Sequence, residues 1–203
     1  MKKILVVVDM QNDFITGPLG TPEAVGIVDN VVEKIRGVGE ESLIVCTFDT
    51  HNNKYEYTQE YGKLPVKHCV YKTKGWELDI NISNVLYNKS PVYVTKPTFG
   101  CLNLVRLIND YTIRYGDIEV TLVGVCTDIC VISNALLLKA HFPEMKIVVD
   151  ASCCAGSSPE KHYAALEVMK SCQIDVINNE WDEIRDNIVK KMNRTFGKKE
   201  SED

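Results

Sequence analysis

The hydrophobic positions of this chain alternate between two patterns. Short continuous runs rich in β-branched residues are typical of strands that are buried on both faces. Such runs occupy residues 4–8, 43–48, 92–95, 118–123, 146–149 and 174–177. Apolar residues at helical spacing fill most of the intervals between them. The pattern therefore predicts strands and helices in alternation.

Several helix boundaries carry local signals. Thr21 has the side chain of an N-cap, and Pro22 after it favours a helix that ends near Gly37. Further helices are predicted from near Cys101, from Thr127 to His141, from Ser158 and from about Trp181. Residues 51–82 show no clear element, and a segment of that length inside a domain is usually functional or disordered.

The alternation of strands and helices also predicts the fold class. Parallel strands joined by right-handed crossover helices form an α/β, doubly wound sheet with helices on both faces. We expect a single domain over residues 1–203, with a frayed tail at 194–203. Ligands of such sheets bind beyond the carboxyl ends of the strands, so the residues that follow each strand are candidates for chemistry.

Composition narrows the range of partners. The 203 residues include 23 Lys and Arg against 28 Asp and Glu, and the net charge of −5 argues against a nucleic-acid partner. No apolar stretch approaches the ~20 residues that cross a bilayer, so no membrane partner is expected. The chain has eight cysteines, no CxxC pair and no signal-peptide pattern. We therefore expect free thiols and a cytoplasmic location.

Chemically useful side chains follow four of the predicted strands. Asp9 follows the first, Asp49 the second, Lys96 the third, and a segment that includes Cys130 the fourth. A thiol, a carboxylate and an ammonium group at one rim suit thiol-based acyl transfer. In that chemistry Cys130 attacks a carbonyl carbon, Asp9 moves the thiol proton, and Lys96 holds charge between them. Each residue alone has a simpler interpretation, a buried small hydrophobe for Cys130 and a turn residue for Asp9 or Lys96.

The residues before Cys130 predict the start of a helix. Thr127 as N-cap would place Cys130 in the first turn, where the helix dipole and free backbone N–H groups favour a thiolate. The same backbone can hold the oxyanion of a tetrahedral intermediate. We expect the N–H groups of Cys126 and Cys130 to form this oxyanion hole, because the oxygen must lie beside the attacking sulfur.

A second cluster follows the second strand. Asp49 and His51 are two positions apart and can lie on one face of an extended segment, and His68 follows in the same long loop. A carboxylate with two imidazoles is a common ligand set for Zn²⁺, and it also suits Fe²⁺ or Mn²⁺. Ordinary hydrogen bonding within the loop is the alternative. The sequence therefore predicts one divalent metal ion, with zinc as the first choice.

Five motifs make the chain similar to a known family. They are Asp9-Met10-Gln11-Asn12-Asp13-Phe14, Asp49-Thr50-His51 with His68-Cys69, Gly75-Trp76-Glu77-Leu78, Lys96, and Gly124-Val125-Cys126-Thr127-Asp128-Ile129-Cys130-Val131. In this order they resemble the isochorismatase-like cysteine hydrolases, and within them the nicotinamidase/pyrazinamidase branch. The matches extend from Asp9 to Asp150, so the resemblance covers most of the chain.

The resemblance implies both a structure and a mechanism. It implies a six-stranded parallel sheet, a catalytic triad of Asp9, Lys96 and Cys130, and a cis peptide bond between Val125 and Cys126 that shapes the oxyanion hole. It also implies that the metal contacts the ring nitrogen of a pyridine substrate and turns the amide of that substrate toward the cysteine.

The substrate pocket implied by the resemblance includes Phe14, Leu64 and Val125. The family commonly has a Trp-Pro pair two positions before the metal-binding histidine, whereas residues 64–68 read Leu-Pro-Val-Lys-His here. Leu64 therefore replaces an aromatic residue that stacks on the substrate ring, and the extra residue can widen the pocket. Trp76 either compensates for this change or is an ordinary core or surface aromatic.

The implied activity is that of a nicotinamidase, which hydrolyses nicotinamide to nicotinic acid and ammonia through a thioester on Cys130. A cysteine hydrolase of the same family that acts on another carboxamide, carbamoyl or ureido substrate is the alternative. A non-catalytic metal-binding or partner-binding scaffold is a second one. For either enzyme the partner is a small-molecule amide, and the family resemblance predicts a homo-oligomer.

Overall fold

Within residues 1–180, which a computed structural model describes, six strands form one parallel sheet. They are β1 (Lys2–Val8), β2 (Leu43–Asp49), β3 (Val92–Lys96), β4 (Ile118–Val125), β5 (Lys146–Ala155) and β6 (Asp175–Ile177). Their order is β3-β2-β1-β4-β5-β6, and every neighbouring pair is parallel. The six strands predicted from the sequence are confirmed.

Helices follow most of these strands. In the same part of the chain they are α1 (Asn12–Ile15), α2 (Pro22–Gly26), α3 (Val28–Arg36), α4 (Ile80–Leu86), α5 (Leu102–Tyr115), α6 (Ile132–His141) and α7 (Pro159–Ser171). A 3₁₀ turn covers Tyr55–Tyr57, and a π-helical turn at Thr127–Val131 leads into α6. The helix predicted from Trp181 and the tail predicted at 194–203 lie outside the described residues.

The first predicted helix is divided into two. Thr21 caps α2 as expected, and its hydroxyl oxygen accepts a 3.0 Å hydrogen bond from the N–H of Ala24. However, α2 ends at Gly26 and α3 begins at Val28. Glycine inside a helix is destabilising, which explains a break at this position. Gly37 then caps the C-terminus of α3, as predicted.

Two further helices had no signal in the sequence. The four residues of α1 and the seven of α4 are too few to show a hydrophobic period. The start of α4 is fixed by Asp79, whose carboxylate accepts a 2.8 Å hydrogen bond from the N–H of Asn81. Part of the segment without a predicted element is therefore helical.

Both faces of the sheet are covered by helices. Along β1 the side chains alternate, with Ile4 and Val6 in one core and Leu5 and Val7 in the other. The first core includes residues of α5, α6 and α7, and the second includes residues of α2, α3 and α4. This arrangement confirms the doubly wound α/β fold. Among residues 1–180, no helix is long and apolar enough to span a membrane.

The carboxyl ends of the central strands lie close together. Asp49 at the end of β2 is opposite Lys96 at the end of β3, and Val8 at the end of β1 is opposite Gly124. Gly124 has a φ of +116°, and a Cβ at this position would lie 2.1 Å from the carbonyl oxygen of Val8. Only glycine permits this approach, which brings the end of β4 beside Asp9.

Candidate active site

Lys96 lies between two other residues that the sequence singled out. Its Nζ atom is 2.6 Å from Oδ2 of Asp9 and 3.4 Å from Sγ of Cys130. All three side chains are buried, and Lys96 is only 1% exposed. The hydroxyl of Thr47 donates a 2.7 Å hydrogen bond to Oδ1 of Asp9. The structure therefore brings a thiol, a carboxylate and an ammonium group together at one rim of the sheet.

These three groups change one another's protonation. Burial raises the pKa of the Cys130 thiol, and the charge of Asp9 raises it further. Burial also raises the pKa of Asp9, although Lys96 opposes this shift. Burial lowers the pKa of Lys96, but the charges of the Asp9 and Asp49 carboxylates outweigh it and hold the pKa above its ordinary value. The thiol therefore keeps its proton next to a carboxylate of increased basicity, and the thiolate expected from the helix start is not favoured at this buried position.

The turn that carries Cys130 differs from the predicted helix start. The peptide bond between Val125 and Cys126 is cis, as the family resemblance implies. Cys126, and not Thr127, is the residue before the π-helical turn. The assignment of Thr127 as N-cap was wrong, because its hydroxyl oxygen instead lies 2.8 Å from Nδ1 of His162. Cys130 nevertheless lies in the first turn of the helical segment.

Asp49, His51 and His68 form a compact cluster of metal-ligating atoms. These atoms lie within 4.8 Å of one another. The Nε2 atoms of His51 and His68 are 3.1 and 3.3 Å from the same oxygen of Asp49. Burial raises the pKa of Asp49, but hydrogen bonds from the two imidazoles outweigh it and hold the pKa well below its ordinary value. The carboxylate is therefore ionised, which is the form that binds metals.

Glu60 and Tyr55 surround this cluster and were not predicted. Oε1 of Glu60 is 3.6 Å from Nε2 of His68 and 3.8 Å from Nε2 of His51. The ring of Tyr55 is edge-on to His68 with 5.1 Å between centroids, and its hydroxyl donates a 3.0 Å hydrogen bond to the carbonyl of Leu64. Neither residue belongs to a sequence motif, because only the folding of the loop brings them beside the histidines.

The motif after β1 anchors the loop that carries the histidines. The side-chain amide nitrogen of Gln11 donates hydrogen bonds to the carbonyl oxygens of Asp49 and Trp76, both at 2.9 Å. Its amide oxygen accepts a 2.8 Å hydrogen bond from the N–H of Asp49. Asp13 accepts a 2.7 Å hydrogen bond from the N–H of Cys69. Gln11 and Asp13 therefore position the segments that carry the candidate metal ligands.

A cavity of about 360 Å³ opens at Cys130. Phe14 and Leu64, which the sequence placed in a substrate pocket, line it together with Phe99. The other lining residues are Leu19, Gly20, Thr21, Asp49, Glu60, His68, Cys126, Ile129, Ser157 and Lys161. The thiol and part of the candidate metal cluster therefore face the same space.

Val125 and Trp76 lie away from this cavity. Val125 is fully buried and packs in the core beside α2, α3 and α4, so it is not among the described residues that line the cavity. Its assignment to the pocket was wrong, because the side chain turns into the core at the end of β4. Trp76 packs on Phe48 with 4.9 Å between ring centroids, and its Nε1–H donates a 2.9 Å hydrogen bond to Thr50. Trp76 is therefore a packing residue.

Comparison with known protein families identifies the chain. Residues 3–180 match the model of the isochorismatase domain. The chain belongs to the isochorismatase family. Among curated proteins, the chain is similar to the nicotinamidase/pyrazinamidase of Mycobacterium tuberculosis, with 26% identity over 86% of this chain and 98% of the relative.

Solved structures show the same isochorismatase fold. The pyrazinamidase of Pyrococcus horikoshii, crystallised in complex with zinc, is 29% identical and has a TM-score of 0.73. The nicotinamidase/pyrazinamidase of Bacillus subtilis is 27% identical and has a TM-score of 0.75. Each comparison covers 87% of this chain and 99% of the other. The isochorismatase-like fold predicted from the motifs is therefore confirmed.

The sequence motifs contain the candidate catalytic residues, but they do not reveal several of the side chains that contact them. Gln11 belongs to a motif, yet its sequence context does not indicate that it binds both polar backbone groups of Asp49. Asn134 belongs to no motif and is fully buried. It lies one helical turn after Cys130, and this spacing is the signal that could have found it. Glu60 carries no comparable signal.

Proposed function

We propose that this member of the isochorismatase family is a nicotinamidase, an amidohydrolase that converts nicotinamide and water to nicotinic acid and ammonia. The observation that carries the proposal is the position of Lys96, 2.6 Å from Asp9 and 3.4 Å from Cys130, next to a cavity that His68 also lines. The name of the Mycobacterium tuberculosis relative supports this choice of reaction. The reaction would return the pyridine ring to the synthesis of NAD.

Asp9 and Cys130 carry out the first half of the reaction. The Cys130 sulfur attacks the carboxamide carbon while its proton moves to Asp9, whose pKa is raised by burial. Asp9 then gives this proton to the amide nitrogen as the carbon–nitrogen bond breaks. The products of this half are ammonia and a thioester on Cys130.

Water completes the cycle. Asp9 takes a proton from the water that attacks the thioester carbon, and the carbon–sulfur bond breaks as this proton passes to the sulfur. The products are nicotinic acid and the free thiol. Lys96 stays protonated throughout, because the charges around it keep its pKa above the ordinary value. Its ammonium group holds the Asp9 carboxylate in place between the two halves.

The oxyanion of each tetrahedral intermediate needs donors beside Cys130. We assign this role to the backbone N–H groups of Cys126 and Cys130, since both residues line the cavity. Cys126 directly follows the cis peptide bond. Fixed backbone donors in a buried site stabilise a developing negative charge more effectively than mobile water does.

The donor set beside the triad fits a divalent metal ion. Asp49 is ionised, and Nδ1 of His68 is 2.8 Å from the carbonyl oxygen of Val66, which leaves Nε2 of His68 for a metal. We propose that Asp49, His51 and His68 hold Zn²⁺, with the Glu60 carboxylate within reach as a further donor. When bound, the ion would supply a Lewis-acid contact for the ring nitrogen of the substrate.

The cavity walls favour a flat ring but also support a second substrate class. Phe14 and Phe99 provide aromatic walls, which suit the pyridine ring of nicotinamide. Leu64 provides an aliphatic wall where the family commonly has an aromatic residue. A cysteine hydrolase that acts on another carboxamide, carbamoyl or ureido substrate is therefore the second candidate.

The proposed nucleophile also bears on the cellular setting. All eight cysteines are free thiols, and Cys130 has to stay reduced to attack the substrate. We therefore assign the protein to a reducing compartment, which is the cytoplasm. The homo-oligomer that the family resemblance implies remains a prediction.

The test is ammonia release by the purified protein after loading with Zn²⁺. Nicotinamide, pyrazinamide and a ureido compound are compared as substrates, and nicotinic acid is quantified as the second product. Cys130→Ala is the inactive variant. Cys172→Ala is its matched control, because Cys172 is an exposed free thiol.

We expect ammonia and nicotinic acid in equal amounts from the wild type and from Cys172→Ala, and neither from Cys130→Ala. Cleavage of the ureido compound without cleavage of nicotinamide would replace the substrate assignment by the second candidate. Full activity of Cys130→Ala would contradict the thioester mechanism. Absence of turnover with every amide would leave only the non-catalytic scaffold.

A further inference from the structure

His162 is attached to the turn that carries Cys130. Its Nδ1 lies 2.8 Å from the hydroxyl oxygen of Thr127, a fully buried residue shortly before Cys130 in the chain. The backbone approaches closely at this contact, because a Cβ at Gly156 would lie only 2.8 Å from the backbone nitrogen of His162. Glycine at this position therefore lets the first turn of α7 approach the end of β5.

We propose that His162 is a positioning residue for the proposed amidohydrolase, and that its neutral form accepts a hydrogen bond from the hydroxyl of Thr127. This hydrogen bond holds the turn between the cis peptide bond and Cys130 in its active arrangement, and protonation of His162 releases it. The inference rests on the proposed function, since it concerns the same thiol. His162 itself lines a different cavity, of about 240 Å³, and not the cavity at Cys130.

Protonation reverses this hydrogen bond. A neutral imidazole can accept at Nδ1, whereas an imidazolium has N–H groups at both nitrogens and can only donate. Thr127 would then have to accept, and its own hydroxyl proton would lose the acceptor. A buried donor without an acceptor is destabilising, so the turn would move to find another partner.

The charges around His162 favour the neutral form. Burial lowers the pKa of His162, and the Asp128 carboxylate partly offsets this shift. That carboxylate also accepts hydrogen bonds from the N–H and hydroxyl of Ser157, at 2.7 and 2.6 Å, so each of its oxygens already has a donor. The other titratable groups near His162 are Glu23 of α2, Cys154 of β5, Lys161 and Tyr163 of α7, and Glu180. His162 therefore becomes protonated only at a pH below the ordinary histidine pKa of about 6.5.

The test uses variants that keep or remove each partner. His162→Asn keeps an acceptor near the position of Nδ1 but does not titrate, whereas His162→Leu removes the acceptor. Thr127→Ser keeps the hydroxyl, and Thr127→Val removes it. His141→Asn, at an exposed histidine, is the control. The kcat for ammonia release from nicotinamide, the unfolding temperature and the rate of Cys130 alkylation by iodoacetamide are measured from about pH 5 to pH 8.

We expect the wild type, Thr127→Ser and His141→Asn to lose kcat together below about pH 6.5. His162→Asn retains its kcat at neutral pH, and its acid-side loss moves to lower pH. His162→Leu and Thr127→Val lose about tenfold in kcat at neutral pH, the effect of one lost hydrogen bond. At neutral pH, Cys130 is alkylated faster in these two variants than in the wild type. The ratio of the variant rate to the wild-type rate falls toward one in acid, because the wild type then also loses the hydrogen bond between His162 and Thr127.

An unchanged acid-side midpoint in a His162→Asn variant that unfolds at the wild-type temperature would overturn the proposal. Wild-type kcat in His162→Leu would do the same. Absence of ammonia release by the wild type would instead contradict the proposed function. In that case the Cys130 alkylation rates still test the role of His162. A ratio of the His162→Leu alkylation rate to the wild-type rate that does not vary with pH would contradict that role.

Discussion

The side-chain amide of Asn134 donates a 2.8 Å hydrogen bond to the carbonyl oxygen of Cys130. The same amide nitrogen donates to the carbonyl of Phe99 at 3.2 Å, and the amide oxygen accepts from the N–H of Cys101 at 2.9 Å. Phe99 and Cys101 belong to the loop that follows Lys96. Asn134 therefore ties the segment that carries the thiol to the segment that carries the ammonium group.

Replacing Asn134 by Asp is expected to lower both stability and kcat. The substitution removes the two amide donors and places a carboxylate oxygen against two carbonyl oxygens in a fully buried site. We expect a loss of about 3 kcal/mol in the free energy of unfolding, measured by urea denaturation, together with a lower rate of ammonia release. Asn103→Asp, at an exposed position on α5, should leave both unchanged. Equal stability of the two variants would show that the Asn134 contacts contribute little.

Lys96→Met is expected to inactivate the protein without removing the thiol. Asp9 loses its cation, so burial raises the pKa of that carboxyl further and the group stays neutral at neutral pH. A neutral acid cannot take the proton of Cys130, and we expect a loss of about a thousandfold in kcat. Unfolding should also become easier by about 3 kcal/mol, because a buried ion pair has lost one partner.

The control for this substitution is Lys63→Met, at an exposed lysine of the loop. It should retain wild-type kcat and stability. Lys96→Met with more than a tenth of the wild-type kcat would mean that Asp9 does not need its cation to act as a base. The assignment of Lys96 to the catalytic triad would then be wrong.

The sheet could be predicted from the sequence because its strands are buried on both faces. Continuous apolar runs such as residues 4–8 are rare outside such strands, and the alternation with helices fixed the parallel arrangement. Once the strand ends were placed, the parallel arrangement brought Asp9, Lys96 and Cys130 to one rim. That step required only the rule that parallel strands end on the same side.

The position of Glu60 and the contact between His162 and Thr127 could not be predicted, because the partners are distant in the chain. Glu60 meets the histidines only through the fold of the loop, and His162 meets Thr127 only because α7 packs against the end of β5. Thr127 shows how a local rule fails in such a case. Its sequence context is that of an N-cap, but the buried contact with His162 takes its hydroxyl instead.

Removal of either histidine ligand is expected to lower the metal content. His51→Ala and His68→Ala each leave only two members of the cluster, so the Zn²⁺ retained after dialysis against a weak chelator should fall well below one per chain. Glu60→Gln should have a smaller effect, because Glu60 lies outside the compact set of three. Elemental analysis of the dialysed proteins measures this directly.

The matched control for the histidine variants is His141→Ala, at an exposed histidine far from the cluster along the chain. It should retain the wild-type metal content. His51→Ala with the same metal content as His141→Ala would remove His51 from the proposed ligands. A larger loss of bound Zn²⁺ in Glu60→Gln than in His51→Ala would place Glu60 among the principal ligands instead.

Asp150 is expected to make the stability of the fold depend on pH in the acid range. Its carboxylate is buried and lies 2.6 Å from Nζ of Lys34. Burial raises the pKa of Asp150, but hydrogen bonds from Lys34, Asn178 and Ser152 outweigh it and hold the pKa below its ordinary value. A carboxyl with a lowered pKa in the folded state contributes stability above its unfolded pKa of about 3.9. That contribution is lost as the pH falls through the folded value.

Asp150→Asn should therefore be less stable than the wild type at neutral pH, by about 1.5 to 3 kcal/mol, the range for hydrogen bonds to charged groups. Urea denaturation at a series of pH values should show this difference shrinking as the pH falls from about 4, the unfolded pKa, through the lower pKa of the folded wild-type carboxyl. Asp110→Asn, at an exposed position on α5, should follow the wild type at every pH. If the difference in unfolding free energy between Asp150→Asn and the wild type stays constant down to low pH, the charge of Asp150 contributes nothing. The substitution would then be destabilising because the amide does not fit the site.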